Sequence, residues 1–141
     1  MPALNPYLNF NGNTEEVFNF YKSVFGGEFD TVMRFKDMPQ EYQDPADDGQ
    51  KIMHMSLPIT GGDMLMGSDV PQRMGKVTNG TNFHIAINAI SKEEAEKLFN
   101  GLSAGGKVLM PLSKAFWGAL FGMFTDKYGI DWMVSYDETR R

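Results

Sequence analysis

The chain has 141 residues, 42% apolar and 22% charged, enough for one globular domain with a sizeable core. Its formal net charge is −5 and its Lys and Arg are scattered, with Arg140 and Arg141 the only adjacent pair, so neither nucleic acid nor an anionic membrane finds a basic footprint. Cysteine is absent, which excludes disulfides, thiolate nucleophiles and Cys-ligated metals; no apolar run nears the roughly 20 residues of a membrane span, and the start MPALNPYLNF lacks the features of a signal peptide, so a cytoplasmic location is expected.

Ala3 to Asn11 alternates, with Pro6, Leu8 and Phe10 on one side and Asn5, Tyr7 and Asn9 on the other, the pattern of a half-buried strand. Asn13 with Glu16 reads as a capping box. The helix that follows places Val17, Phe20, Tyr21, Val24 and Phe25 on one face, and Gly26-Gly27 stops it. Phe29 to Phe35 is a second strand. Asp37 to Gln50 is acidic, holds two prolines and has no period, which predicts a loop of about fourteen residues, either solvated or a lid. Lys51 to Ile59 alternates again, and Gly61-Gly62 turns the chain into Asp63 to Gly67.

The order then repeats. Residues 69–80, rich in Gly, Pro and Asn, read as a linker between a first module, 1–68, and a second, 81–141. Asn82 to Ala89 is a strand, and Ser91 caps a helix with Glu94 at the box position. Lys107 to Leu112 is a strand, and Phe116 to Thr125 and Ile130 to Tyr136 form a hairpin around Asp126 to Gly129. Glu16 superposes on Glu94, Tyr21 on Phe99 and Gly27 on Gly105. The unit is strand, helix and three strands, used twice in an α+β fold. Neither copy is large enough to bury its own apolar face, so the pair is expected to share a core, with a cleft where the copies meet.

Alternation assigns the faces. Met53, Met55, Leu57 and Ile59 are expected to meet the first helix, leaving His54 and Ser56 on the concave side. Phe83, Ile85 and Ile87 are expected to meet the second helix, leaving Asn82, His84, Ala86 and Asn88 facing away. The only two histidines therefore fall on corresponding polar faces. Trp132 reads as a helix-facing core residue, with Met133 on its opposite face. Trp117 either stacks on a planar ligand or covers one end of the sheet. The chain has eleven Met; a Met-lined surface adapts to varied apolar ligands, yet for any one of them core filling is the expected role. No Gly-rich phosphate loop, dinucleotide fingerprint or GxSxG nucleophile motif occurs, and no residue is assigned a catalytic role.

The opening NPYLNFNGNTEEVFNFYKSVFGGEF and the closing FWGALFGMFTDKYGIDWMVSY closely resemble the PhnB-like branch of the glyoxalase/bleomycin resistance/dihydroxybiphenyl dioxygenase superfamily, the vicinal oxygen chelate proteins. The resemblance covers nearly the whole chain. It implies two paired βαβββ modules forming an incomplete barrel around a central cleft, commonly in a homodimer. It also implies four positions for a divalent metal such as Zn, Fe, Mn or Ni. These fall at His54, His84, Asn5 or Pro6, and Met133; Asn, Pro and Met suit such an ion poorly. No nucleotide-binding pattern supports the methyltransferase label some relatives carry. The expected activity is therefore small-molecule binding in the cleft by Tyr7, Asn9, His54, Ser56, His84, Trp117 and Met133, with an incomplete ligand set. The alternative is a divalent-metal-dependent lyase, isomerase or dioxygenase in which His54 and His84 hold the ion.

Overall fold

A computed structural model describes residues 2–59 and 62–138. Gly61 of the expected turn and the Arg140–Arg141 pair lie outside these residues. The chain separates into two compact units, with the division between Thr78 and Asn79.

The first unit runs β1 (Tyr7–Phe10), α1 (Thr14–Phe25), β2 (Thr31–Arg34), β3 (Ile52–Ile59) and β4 (Asp63–Asp69). Its four strands form one open sheet in the order β1-β4-β3-β2, with β1 parallel to β4 and the other pairs antiparallel. The second unit runs β5 (Ile85–Asn88), α2 (Lys92–Ser103), β6 (Lys107–Lys114), β7 (Leu120–Thr125) and β8 (Asp131–Tyr136). Its sheet has the order β5-β8-β7-β6, again with a parallel first pair. Each unit thus has the same βαβββ connectivity and the same strand order. The repeat read from sequence is a repeat of topology, and the fold is α+β. Among the described residues no helix is long and apolar enough to cross a membrane.

In the first unit Leu8, Phe10, Met55, Leu57 and Leu65 are buried on one side of the sheet, together with Val17, Phe18, Tyr21 and Val24 of α1. Phe18 is fully buried and edge-on to both Phe10 and Tyr21, at 6.5 and 5.7 Å between ring centroids. Phe18 therefore takes the core position expected of Phe20, which is only half-buried. Position 18 lies one residue after Val17 and three before Tyr21, so it belongs to the same helical stripe. The second unit buries Ala95, Leu98, Phe99 and Leu102 of α2, as the periodicity predicts, with Phe124, Trp132 and Val134. Phe99 meets Phe124 edge-to-face at 5.1 Å. Burying each such side chain contributes about 1.5–3 kcal/mol.

The helix starts differ. Ser91 Oγ accepts from the Glu94 N–H at 3.0 Å, and Glu94 Oε1 reaches back to the N–H of Ile90 at 3.0 Å. Asn13 makes no such bond. Instead Asp69 at the end of β4 caps α1: its Oδ1 accepts from the Thr14 N–H at 3.0 Å and the Thr14 hydroxyl at 2.7 Å, while Oδ2 accepts from the Ile52 N–H at 2.8 Å. One buried carboxylate thereby joins α1, β3 and β4. The cap is tertiary rather than local, which is why the local signal at Asn13 misleads.

Several strands are shorter than the alternation suggests. Ala3 to Pro6 precede β1, and Phe35 leaves β2 for a short 3₁₀ turn in which it is buried. The acidic stretch that follows is organised by its own side chains. Asp44 and Asp48 each accept the N–H two residues on, at 2.9 Å, and Asp47 accepts from the Gln72 N–H at 2.8 Å. These aspartates supply the backbone partners that a sheet ladder would otherwise provide. Asn11 exchanges two side-chain bonds with the backbone of Val77, both at 2.9 Å, tying the segment after β4 to the end of β1.

Candidate functional site

In each sheet one face is turned away from the helix. Directly paired residues share a face. In the first unit the register Tyr7↔Met66↔Ser56↔Thr31 places those four side chains together. Asn9↔Ser68 and Met33↔His54 add to the same face, and Pro58↔Met64 extends it. Tyr7, Asn9, His54 and Ser56 are thus brought onto one surface, as their alternation predicts.

Two of them touch. β4 separates β1 from β3, and the Tyr7 and His54 rings meet across it, stacked at 5.7 Å between centroids with a 27° interplanar angle. The Tyr7 hydroxyl lies 3.3 Å from His54 Nδ1. Tyr7 remains 44% exposed, whereas Ser56 is 3% exposed and Ser68 9%. The Ser68 hydroxyl donates to Asn9 Oδ1 at 3.5 Å.

In the second unit the register Ala86↔Met133↔Met123↔Met110 forms one row, and Asn88↔Ser135↔Phe121↔Ser113 the next. Ser135 Oγ donates to Asn88 Oδ1 at 2.8 Å. Two corrections apply. His84 precedes β5 instead of lying within it, and Phe83, expected against α2, is 56% exposed. The strand begins at Ile85 because the parallel ladder with β8 begins there, opposite Trp132. His84 is half-buried, and its Nε2 is buried with no hydrogen-bond partner among the described residues. Phe116 and Trp117 lie in the turn before β7 rather than in the strand. Trp117, 54% exposed, packs edge-on to Phe121 at 5.5 Å and so continues this face past the strand end. Trp132 is in the core, as expected, and its indole N–H is satisfied by Asp126 Oδ2 at 2.9 Å.

The methionines are the residues that sequence reasoning placed least well. Among the described ones only Met55 is in the buried core. Met33, Met64 and Met66 stand on the first face and Met110, Met123 and Met133 on the second. Strand alternation alone contains this signal once the helix-facing parity of each strand is known. The first face therefore combines polarizable thioethers with hydroxyl, amide and imidazole groups, and the second combines them with hydroxyl and amide groups.

The donor set does not suit a divalent metal. Among the described residues no three His, Asp or Glu side chains gather as a metal-holding group. Asn5, one of the family's expected positions, already accepts the Met64 N–H through Oδ1 at 3.0 Å. The remaining candidates, a proline and the Met133 thioether, are unsuited to hard ions.

Away from these faces, α1, β2 and the segment before β3 border a cavity of about 700 Å³ lined by Glu15, Arg34, Lys51 and Asp69, among others. One ion pair and several backbone contacts organise its charged side chains. Arg34 donates both arms of its guanidinium to Glu15, at 3.0 and 2.7 Å, and bonds the Gln50 carbonyl at 2.7 Å. This fork holds the Glu15 carboxyl below the usual carboxylate range, and Glu15 in turn raises Arg34. Lys51 donates to the Gly12 carbonyl at 2.9 Å.

A βαβββ unit used twice defines a class of fold, and residues 3–134 match a family model of that class: the chain belongs to the Glyoxalase/Bleomycin resistance protein/Dioxygenase superfamily. It is 31% identical to Protein YjdN of Escherichia coli strain K12, over 94% of this chain and 93% of that protein. The structure of PA1353 from Pseudomonas aeruginosa superposes with a TM-score of 0.84 at 42% identity, covering 97% of this chain and 98% of the other. A Bacillus cereus PhnB protein, described as a putative 3-demethylubiquinone-9 3-methyltransferase, superposes with a TM-score of 0.74 at 27% identity, over 96% and 100% of the two chains. The chain is thus a PhnB-like member of the superfamily.

Proposed function

We propose that each unit offers the helix-free face of its sheet to a small molecule, whose largely apolar body would rest on methionine side chains, with Tyr7, Asn9, His54 and Ser56 as the polar contacts of the first unit and His84 as that of the second. The observation that carries this reading is that six methionines stand on these faces, with only Met55 of the described methionines in the buried core. An interior filled by unbranched thioethers is unremarkable, but half-exposed thioethers beside hydroxyls and imidazoles make an adaptable recognition surface. Trp117 adds an exposed aromatic plane beside Phe121. The partnerless Nε2 of His84 supports a ligand or water contact there, because a buried polar atom left unpaired is costly. A homodimer is part of the proposal, supported by the exposed apolar run Val108, Leu109 and Met110 on edge strand β6.

The test is a thermal-shift screen of the untagged protein against small apolar metabolites bearing one or two polar groups, with elemental analysis in parallel. A ligand at saturating concentration is expected to raise the Tm by several degrees, and Met66→Lys is expected to abolish the shift while the fold persists. Stoichiometric metal that disappears in a His54→Ala/His84→Ala variant would overturn the metal-free reading in favour of a divalent-metal lyase, isomerase or dioxygenase.

A further inference from the structure

The Tyr7–His54 contact determines what kind of group the first face can recognise. A neutral imidazole carries one proton, and the nitrogen without it is an acceptor. Imidazole nitrogen is a better acceptor than a phenol oxygen, and a phenol O–H is a better donor than a neutral imidazole N–H. A Tyr hydroxyl 3.3 Å from Nδ1 therefore favours the arrangement in which Tyr7 donates and Nδ1 accepts. The stacked rings, 27° from parallel, hold the two groups in that relation from strands on either side of β4.

We propose that Tyr7 is a positioning residue that keeps the His54 proton on Nε2, so that this face offers a hydrogen-bond donor to a ligand carrying a carbonyl or carboxylate oxygen on an apolar body. The proposal rests on the binding reading above and names the chemistry of its ligand. Met33, the direct neighbour of His54 on β2, and Met66, the direct neighbour of Tyr7 on β4, supply the apolar setting. The same bond withdraws His54 from metal ligation through Nε2, since a protonated nitrogen has no free lone pair. Ser56 and Ser68 are both buried on this face, which leaves the imidazole N–H of half-buried His54 and the amide of exposed Asn9 as its donors to a ligand.

The tautomer can be read without any ligand. The chain has two histidines, so a His84→Gln variant assigns the ring resonances in long-range proton–nitrogen spectra of nitrogen-15-labelled protein. His54 is expected to show the Nε2–H pattern. Tyr7→Phe, at an exposed position that tolerates it, is expected to raise the Nδ1–H population about two- to fivefold, the value of one modest hydrogen bond. An Nδ1–H pattern in the unmodified protein, or a ratio that Tyr7→Phe leaves unchanged, would overturn the role of Tyr7. Acetophenone and ethylbenzene, which differ by one acceptor oxygen, then probe the ligand chemistry. Acetophenone is expected to move the His54 Nε2–H resonance and ethylbenzene to leave it in place. Equal effects of the two would sink the acceptor assignment. If neither perturbs any residue of the face, the binding reading fails there while the tautomer result still decides Tyr7.

Discussion

Asp69 and Asp126 carry no motif, yet each is 3% exposed and each completes its unit. Asp126 receives the N–H groups of Tyr128 and Ile130 through Oδ1, at 2.8 and 3.1 Å, and the Trp132 indole N–H through Oδ2. It therefore shapes the β7–β8 turn and satisfies the largest side chain of the core at once. Asp126→Ala strands three donors and is expected to cost about 2–4 kcal/mol, read as a lower chemical-denaturation midpoint; Asp126→Asn, which keeps an acceptor oxygen, should cost less. The turn was legible from Asp126 to Gly129, but the reach to Trp132 was not, because it exists only once the hairpin has closed. Glu15 makes a different prediction. Its carboxyl is lowered by the Arg34 fork, so its stabilising effect is present above the ordinary carboxylate range and fades as pH falls through the lowered value. Both side chains are partly exposed, 48% for Glu15 and 24% for Arg34. Glu15→Gln is accordingly expected to cost only about 0.2–1 kcal/mol at neutral pH. That difference should vanish in denaturation curves taken at a pH below the lowered value, where the Glu15 carboxyl is protonated in both states.

At the scale of elements, each helix rests an aromatic ring on a sheet glycine. A Cβ on Gly67 of β4 would come 2.7 Å from the Phe18 ring and 2.9 Å from the Leu8 carbonyl; one on Gly122 of β7 would come 2.6 Å from the Phe99 ring and 3.0 Å from the backbone of Leu112. Helix and sheet can approach this closely only where no side chain intervenes. Gly67→Ala and Gly122→Ala are each expected to destabilise by about 1–3 kcal/mol. A smaller ring partner should relieve the clash, so Gly67→Ala with Phe18→Leu is expected to be less destabilised than the two single changes summed, as a double-mutant cycle would measure. Helix positions, the α2 face and the repeated order of elements along the chain were legible, because period and the Ser91 cap are local signals. Strand ends were less so. Where β5 and β7 begin depends on where a partner strand lies, and the choice of Phe18 over Phe20 depends on a glycine far along the chain.

For the molecule as a whole, duplication is the feature most openly written in the sequence: two copies of one connectivity, each with a helix-backed core and an opposite face bearing chemistry. His54 and the polar strand positions could be assigned to those faces by alternation, whereas His84 falls before β5. Most methionines could not be told from core filler until the helix-facing side of each strand was known; Met133, opposite Trp132, was the exception. Their actual distribution has a consequence for the protein's chemical durability. With no cysteine in the chain, methionine is the only sulfur available to an oxidant. Conversion to the sulfoxide would replace a soft apolar group by a polar, chiral one on the helix-free sheet faces while sparing the interior. Mild peroxide followed by peptide mass analysis is expected to modify Met33, Met64, Met66, Met110, Met123 and Met133 well before Met55. A bound ligand should slow the reaction at those on its own face, so the sulfurs double as a footprint of whatever the protein holds.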